Sequence, residues 1–247
     1  HQMWSGIMEE DSIIPWIPFL QEEAAFGIAH YMDSTVLNGD TTNGGAQINS
    51  SSDPADTKAY LAWDGLRHAC LVDQTGNAKD LSGAAITFKA LIAARTRMID
   101  RTYLFDWGHP VDQGDLALIT SPEVADNIAL MDEVITVDKF GGQATVLTGQ
   151  VAKVGGSPLI SSIAMPLALA TGYVHASTGN SYGQLVTVNR RGAKVGWRRR
   201  IRMATKELPE TDQTRLVYSL RAAFGIYSPT GALSAQECVD DIYDIGL

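Results

Sequence analysis

The chain has 247 residues, of which 45% are hydrophobic and 19% charged, and its formal net charge is -9. This length is sufficient for one large or two small hydrophobic cores. No apolar stretch approaches the roughly 20 residues that span a bilayer, so we expect no membrane-spanning helix. The acidic balance argues against polyanion binding over the whole surface. Two cysteines, Cys70 and Cys238, are too few for a disulfide framework or a thiolate metal site.

The first clear pattern is an apolar residue at every fourth position between Pro15 and Asn38. This period predicts a long amphipathic α-helix. Acidic residues precede it, where they suit the positive end of the helix dipole. Asn38 and Gly39 predict a left-handed turn at the helix end. The polar segment 40–56 has no hydrophobic period and predicts a surface loop.

The middle of the chain has the character of an α/β arrangement. Helices are predicted at Ala62–Val72 and Gly83–Ile99, the second capped by Ser82. The apolar run Leu116–Thr120 predicts a buried strand. A short helix is predicted from Ser121 to Met131, because a capping residue, a proline and an acid stand in order at its start.

The last third is glycine-rich and strand-like, except for the tail, which has a helical pattern. Short strands are predicted over 141–182 and a further strand at Leu185–Val188. Two long strands, over Asn189–Arg202 and Arg215–Tyr227, are joined by the predicted turn Glu207–Asp212. The tail Ser234–Asp244 has capping-box spacing and predicts a helical turn.

The segment Asn189–Arg202 carries seven Arg or Lys residues and no acid. Most such runs are solvated faces, but this separation of sign also favours packing between copies, or contact with nucleic acid. Side chains alternate along a strand, so Arg198, Arg200 and Arg202 should share one face. Arg199 should join Trp197 and Ile201 on the opposite face.

One acidic loop suggests metal chemistry, but its composition favours another explanation. Four potential ligands lie in a single stretch, Asp106, His109, Asp112 and Asp115. The stretch is rich in Gly and Pro, where Asp is favoured for local backbone hydrogen bonds. His30 and His68 lie in predicted helices and are expected to pack there. No catalytic, cofactor-binding or metal site is therefore predicted, and a metal-dependent hydrolase stays as an alternative.

Four landmarks in chain order resemble the tailed-bacteriophage major capsid proteins. Met8–Asp40 resembles their spine-helix signature, whose terminal pattern is matched by Asp33, Leu37, Asn38, Gly39 and Asp40. Leu116–Val124 resembles the family's step from strand through proline to helix, and Val154–Pro166 resembles its "G.P" element. The strands LVTVNRRGAKVGWRRRIRM and RLVYSLRAAFGIYSPTGAL resemble its two long peripheral strands. Together these landmarks cover most of the chain.

The resemblance implies an α+β fold of two interleaved domains. A peripheral domain would comprise 1–40, with the spine helix, and 188–227, with the long strands and turn. An axial domain would comprise 41–187 and the return and tail 228–247. The family also has an amino-terminal arm and an extended hairpin before the spine helix. We expect the left edge of this chain, which begins His1, Gln2, Met3, to be a fragment boundary.

The function implied is that of a structural protomer of an icosahedral bacteriophage shell, not an enzyme. The expected partners are further copies in pentamers and hexamers, packaged double-stranded DNA held non-specifically on the inner face, and a scaffolding protein or protease and a portal. No cofactor and no membrane are implied. The expected location is the virion capsid, assembled in the host cytoplasm. An encapsulin-like nanocompartment shell, which shares this fold, is the main alternative.

The opposite charges of the chain suggest where copies would meet. A closed shell needs mutually complementary patches on each subunit. We expect the basic strand to meet acidic residues of adjacent subunits. The candidate interface residues are Glu9, Glu10, Asp11, Arg190, Arg191, Lys194, Arg198, Arg200, Arg202, Glu207 and Glu210.

Overall fold

The structure is a computed structural model that describes residues 2–5, 16–42, 47–49, 58–99, 113–131, 150–175, 179–211, 213–226 and 238–247. It divides into two units. Unit 1 comprises His1–Asp33 and Val195–Ala223, and unit 2 comprises Ser34–Lys194 and Phe224–Leu247. Helices and strands are both abundant, so the mixed α+β class is confirmed.

The helices of the described residues are few and mostly short. The long helix α1 spans Trp16–Asn38, as its period predicted. A short turn, α2, spans Leu66–His68 and continues as the π-helical turn Ala69–Asp73. Helix α3 spans Phe88–Arg97, and α4 spans Pro122–Ala129 with its proline in the first turn.

Within the described ranges, nine strands form two sheets. In chain order they are β1 Gln2–Ser5, β2 Ala78–Asp80, β3 Leu116–Thr120, β4 Gln150–Val154, β5 Ser157–Ser161, β6 Gly183–Asn189, β7 Ala193–Leu208, β8 Gln213–Ile226 and β9 Val239–Ile245. One sheet has the order β1-β8-β7, and the other has the order β2-β9-β6-β3-β5-β4. The predicted strand Leu116–Thr120 and the two long strands are thereby confirmed.

The six-stranded sheet of unit 2 is covered on both faces. All seven residues of β6 are buried, and neighbouring residues point to opposite sides. Leu185 packs in a cluster with Leu91 of α3 and Ile128 of α4. Val186 packs in a second cluster that includes Leu37, at the end of α1. The sheet is therefore the shared middle layer of two cores.

Two predicted helices begin later than expected, and the predicted helical turn in the tail is wrong. The segment 62–65 is not helical, because Gly65 is extended and the helical turn begins at Leu66. Helix α3 begins only after Thr87, whose hydroxyl accepts a hydrogen bond from the Ala90 amide, whereas Ser82 lies in a turn with positive φ. The predicted helical turn in the tail is strand β9 from Val239 onward.

Strand β9 is strand because of its partners. It pairs antiparallel with β6 and parallel with β2, so both edges of its backbone are hydrogen-bonded. Three aspartates in one short strand oppose strand propensity, and local spacing suggested a helix. Pairing on both sides supplies more stabilisation than local propensity can oppose.

The end of α1 also differs from its prediction. Gly39 is not among the glycines with positive φ in the described residues, so the left-handed turn is wrong. Its amide still donates to Thr35 O at 2.9 Å, and its carbonyl accepts from the Gly65 amide at 2.8 Å. A Cβ at Gly39 would lie 2.2 Å from Trp63 O. Glycine is required here by the close approach of two backbones.

A buried arginine connects this helix end to the sheet of unit 2. Arg67 is fully buried. Its Nη1 donates to Asn38 Oδ1 at 2.9 Å, its Nε to Gln184 Oε1 at 2.6 Å and its Nη2 to Gly172 O at 2.7 Å. Asn38 in turn donates from Nδ2 to Ala164 O at 2.7 Å. Such a charge is tolerable only because its donors are hydrogen-bonded.

The close approach of two backbones at Gly39 predicts that substitution by alanine has opposite effects there and at Gly27 of α1. Gly39→Ala should lower the free energy of unfolding by about 1 to 3 kcal/mol, because the new methyl group overlaps backbone atoms. Gly27→Ala is the matched control within α1, where no atom lies within 4 Å of the added Cβ. This control should raise the free energy of unfolding by about 0.5 to 1 kcal/mol, because glycine within a helix loses more conformational freedom on folding than alanine does. Urea unfolding of both variants is the measurement, and equal effects would contradict the packing described.

Candidate functional site

The sheet of unit 1 has one face toward helix α1. The Gln21 Nε2 atom donates to Met203 Sδ at 3.4 Å, and the Tyr218 hydroxyl donates to Leu20 O at 3.2 Å. Met203 is an odd-numbered residue of β7, and Tyr218 is an even-numbered residue of β8. Because side chains alternate along strands, the even residues of β7 and the odd residues of β8 face away from the helix.

This outward side of the β7–β8 sheet, called here the outer face, is basic. It carries no acidic residue at these strand positions, and its cations within unit 1 are Arg198, Arg200, Arg202, Lys206, Arg215 and Arg221. The first four and Arg221 are exposed. Lys194 has the same parity on β7 and is also exposed, but it belongs to unit 2. Like charges on neighbouring strands repel, so the outer face favours an acidic partner.

The opposite side of β7 is mostly apolar, although it also carries Arg199 and Glu207, and it is incompletely covered. Trp197 is 50% exposed and Ile201 is 49% exposed. On α1 itself, Phe26 is 68% exposed and Tyr31 is 63% exposed. Large apolar side chains left in water at this density are typical of surfaces that contact another protein.

The other predicted interface residues have different environments. Arg190 is exposed, whereas Arg191 is half-buried and donates from Nη2 to Asp115 Oδ1 at 3.1 Å. Glu207 and Glu210 are exposed near the turn between β7 and β8. Glu9, Glu10 and Asp11 lie outside the described residues. Arg191 is therefore engaged within its own chain.

The proposed acidic metal loop is only partly described. Asp106, His109 and Asp112 lie outside the described residues, and Asp115 forms the ion pair with Arg191. Among the described residues, a different group, Asp40, Asp64 and His68, brings potential metal ligands together. The sequence interpretation assigned His68 to packing. The spacing of Asp64 and His68, four residues apart, was the available local signal, but Asp40 comes from a distant segment.

Two open cavities occur among the described residues of unit 2. The larger has a volume of about 490 Å³ and is lined by backbone and mostly apolar residues, including Ile86, Leu130 and Met131. The second, of about 350 Å³, is lined by residues that include Leu71, Tyr173 and Tyr243. Neither lining contains a nucleophile paired with a base, and so neither supports a catalytic site.

Unit 2 buries two adjacent aspartates of β9. Burial raises the pKa of Asp240 to about 6, against the opposing effect of Arg97, which donates to both its oxygens at 2.6 Å. Burial raises the pKa of Asp241 to about 7. In the part of the chain that the structure describes, neither carboxylate oxygen of Asp241 has a hydrogen-bond partner. Burial lowers the pKa of Arg67 to about 10, so its guanidinium stays charged at neutral pH.

No protein-family model matches the chain, and no curated protein matches it. Solved structures do match. A chain of the satellite phage P4 procapsid including size determination (Sid) protein is similar with a TM-score of 0.56 and 8% identity, over 99% of this chain and 68% of that chain. The bacteriophage PhiM1 mature capsid gives a TM-score of 0.55 and 14% identity, over 98% of this chain and 68% of that chain.

A third structure, the capsid of the empty GTA particle, is similar with a TM-score of 0.56 and 12% identity, over 98% of this chain and 70% of that chain. The chain has the fold of tailed-phage major capsid proteins. The predicted resemblance to this capsid fold is confirmed. No described helix of the capsid fold here is both long and apolar enough to cross a membrane.

The raised pKa of Asp241 predicts a stability that falls as pH rises. Asp241 binds its proton more tightly in the folded state than in the unfolded state. Its contribution to the free energy of unfolding is therefore fully present below about pH 4 and is lost as pH rises through about 7. Between pH 5 and 8 the free energy of unfolding of the native protein should fall by about 2 to 3 kcal/mol relative to that of Asp241→Asn.

Urea unfolding of both proteins at several pH values measures this difference. Asp240 is present in both proteins and its charge contributes to the raised pKa of Asp241, so the measured difference belongs to the pair of aspartates. Parallel pH profiles for the two proteins would show that Asp241 keeps an ordinary pKa in the folded state.

Proposed function

We propose that this chain is the structural protomer of an icosahedral viral shell that encloses double-stranded DNA. The observation that carries the proposal is the match of nearly the whole chain to phage capsid structures, with TM-scores of 0.55 to 0.56 for the three described above. The cavities described in unit 2 offer no catalytic arrangement that would favour an enzyme. The protomer would act through its surfaces.

Within this proposal, unit 1 lies within the peripheral domain, and the axial domain lies within unit 2. Unit 1 contains most of α1 and most of the β7–β8 hairpin, the two elements expected of a peripheral domain. Unit 2 contains the six-stranded sheet and its two cores. The proposed domain boundaries remain 1–40 with 188–227, and 41–187 with 228–247.

The outer face supports contact between copies on electrostatic grounds. Its exposed cations, Arg198, Arg200, Arg202, Lys206 and Arg221, have no acidic residue among them at the same strand positions, so they repel one another. An acidic surface of a neighbouring copy removes this repulsion. Exposed acids available for that contact include Glu22 and Glu23 on α1 and Glu207 and Glu210 near the hairpin turn. Pentamers and hexamers would repeat the contact around each axis.

The remaining expectations belong to the same proposal. The shell would be the virion capsid, assembled in the host cytoplasm with a scaffolding protein or protease and a portal. DNA would be held on the inner face through non-specific phosphate contacts. An encapsulin-like shell differs in its contents, so nuclease-protected DNA in purified particles would favour the viral role over the nanocompartment.

The assembly role of the outer face is tested by reversing its charge. Arg198→Glu, Arg200→Glu and Arg202→Glu together, in protein expressed from the complete gene, should leave the subunit folded but block shell formation. Each exposed ion pair contributes only about 0.2 to 1 kcal/mol. A shell repeats each contact in every copy, so the small losses accumulate. Circular dichroism measures folding, and light scattering with electron microscopy measures assembly.

The matched control replaces the same three arginines with lysine, which keeps the charge of the outer face. This variant should assemble, because long-range charge complementarity requires the sign of the charge more than the shape of the guanidinium. Normal assembly of the glutamate variant with poor DNA packaging would instead place the outer face against the genome.

A further inference from the structure

Three potential ligands converge within unit 2 just beyond the end of α1. His68 Nε2 lies 3.6 Å from Asp40 Oδ1 and 4.0 Å from Asp64 Oδ1. One atom from each of the three side chains lies within 4.8 Å of the others. Two donor atoms bound to one cation at about 2.0 to 2.2 Å are at most about 4.4 Å apart. The measured separations from His68 fit a shared ion.

Both carboxylates are held in place by the loop that follows α1. Asp40 Oδ1 accepts from the Thr42 amide at 2.8 Å, and Oδ2 accepts from the Ile48 amide at 2.7 Å. Asp64 Oδ1 accepts from both the amide and the hydroxyl of Thr41 at 2.8 Å. Hydrogen bonds of this kind orient metal-binding carboxylates in proteins. Each oxygen of Asp40 keeps a lone pair that these bonds do not use, and Asp64 keeps its Oδ2 atom, which accepts neither of the two bonds from Thr41.

Burial differs between the three side chains in a way that allows an ion to enter. The Asp40 side chain is 0% exposed and that of His68 is 6% exposed. The Asp64 side chain is 43% exposed. The group therefore has a dry interior side and a solvent-facing side, through which an ion can reach Asp64.

The imidazole of His68 lacks a hydrogen bond that would explain its burial. Among the described residues its Nδ1 has no hydrogen-bond partner, although it lies 3.4 Å from Asp73 Oδ2, outside hydrogen-bonding alignment. Its Nε2 atom faces the carboxylates of Asp40 and Asp64, and a cation placed between the three side chains would be attracted by both negative charges.

From this arrangement we propose that Asp40, Asp64 and His68 bind one divalent cation. An imidazole nitrogen with two carboxylate oxygens is a donor set that suits Zn²⁺, with water completing the coordination. Asp73 lies 3.4 Å from His68 Nδ1, on the side of the imidazole where metal-binding histidines commonly have a carboxylate, although the two are not hydrogen-bonded here. The bound ion would join the chain just after α1 to the segment 64–68. This role is structural and does not depend on assembly into a shell.

The other candidate for the same position is a proton. An imidazolium at His68 would be attracted to Asp40, Asp64 and Asp73 without any metal. The two occupants differ in how stability responds to added metal, so one experiment separates them.

The test is zinc titration of the intact, EDTA-treated and desalted protein by isothermal calorimetry, with thermal unfolding alongside. One equivalent of Zn²⁺ should bind. The Tm should rise by roughly 5 to 10 °C when free Zn²⁺ is about 100 times its Kd, and EDTA should reverse the rise. Asp64→Asn should weaken binding at least about tenfold. This variant keeps an oxygen that can accept from Thr41.

The matched control is Asp126→Asn, which removes an exposed carboxylate on α4 within the same unit and should bind Zn²⁺ like the native protein. His68→Gln is a second binding variant and should lose the site as Asp64→Asn does. Native protein that takes up no Zn²⁺, or Asp64→Asn that binds it equally well, would overturn the proposal. A Tm that does not change with added Zn²⁺ but falls as the pH is raised would assign the position to a proton instead.

Discussion

The constraint on which unit 2 most depends is the need to satisfy the buried guanidinium of Arg67. Its three hydrogen bonds reach Asn38 at the end of α1, Gln184 in β6 and the Gly172 carbonyl, positions separated from it by 29, 117 and 105 residues. Loss of one of these neutral acceptors would leave a buried donor of the guanidinium without a hydrogen bond, which costs about 1 to 3 kcal/mol. At the same junction, each of the three consecutive residues Asn38, Gly39 and Asp40 has its own structural role. Asn38 binds the arginine, Gly39 permits the backbone approach, and Asp40 orders the next loop.

Elements with long, strong periods could be predicted from the sequence, and elements defined by distant partners could not. Helix α1 and strands β7 and β8 follow from local pattern alone. Strand β9 does not, because its conformation depends on β6 and β2, and its buried Asp240 is compensated by Arg97, 143 residues away. The same division holds at the candidate surface. Alternation in β7 predicted the grouping of its arginines, whereas the pairing of Arg191 with Asp115 across 76 residues left no local signal.

Charge and apolar surface are distributed in unit 1 in a way that suits repeated protein contacts. The outer face of β7 and β8 is basic, and the helix-facing side of β7 leaves Trp197 and Ile201 half-exposed. Neither feature stabilises a subunit alone in water. In a shell protomer, both would be covered by neighbouring copies, so residues that cost stability in isolation would gain it on assembly. Unit 2 has two apolar cores of its own.

The most direct measurement is an electron cryo-microscopy reconstruction of particles formed by the protein expressed from its complete gene. We expect closed shells of fivefold and sixfold rings in which Arg198, Arg200 and Arg202 lie against acidic side chains of a neighbouring copy. A reconstruction that places these arginines in solvent, or against packaged DNA with no protein partner, would contradict the proposed assembly surface. Protein that forms no regular particle under any assembly condition would contradict the shell function itself.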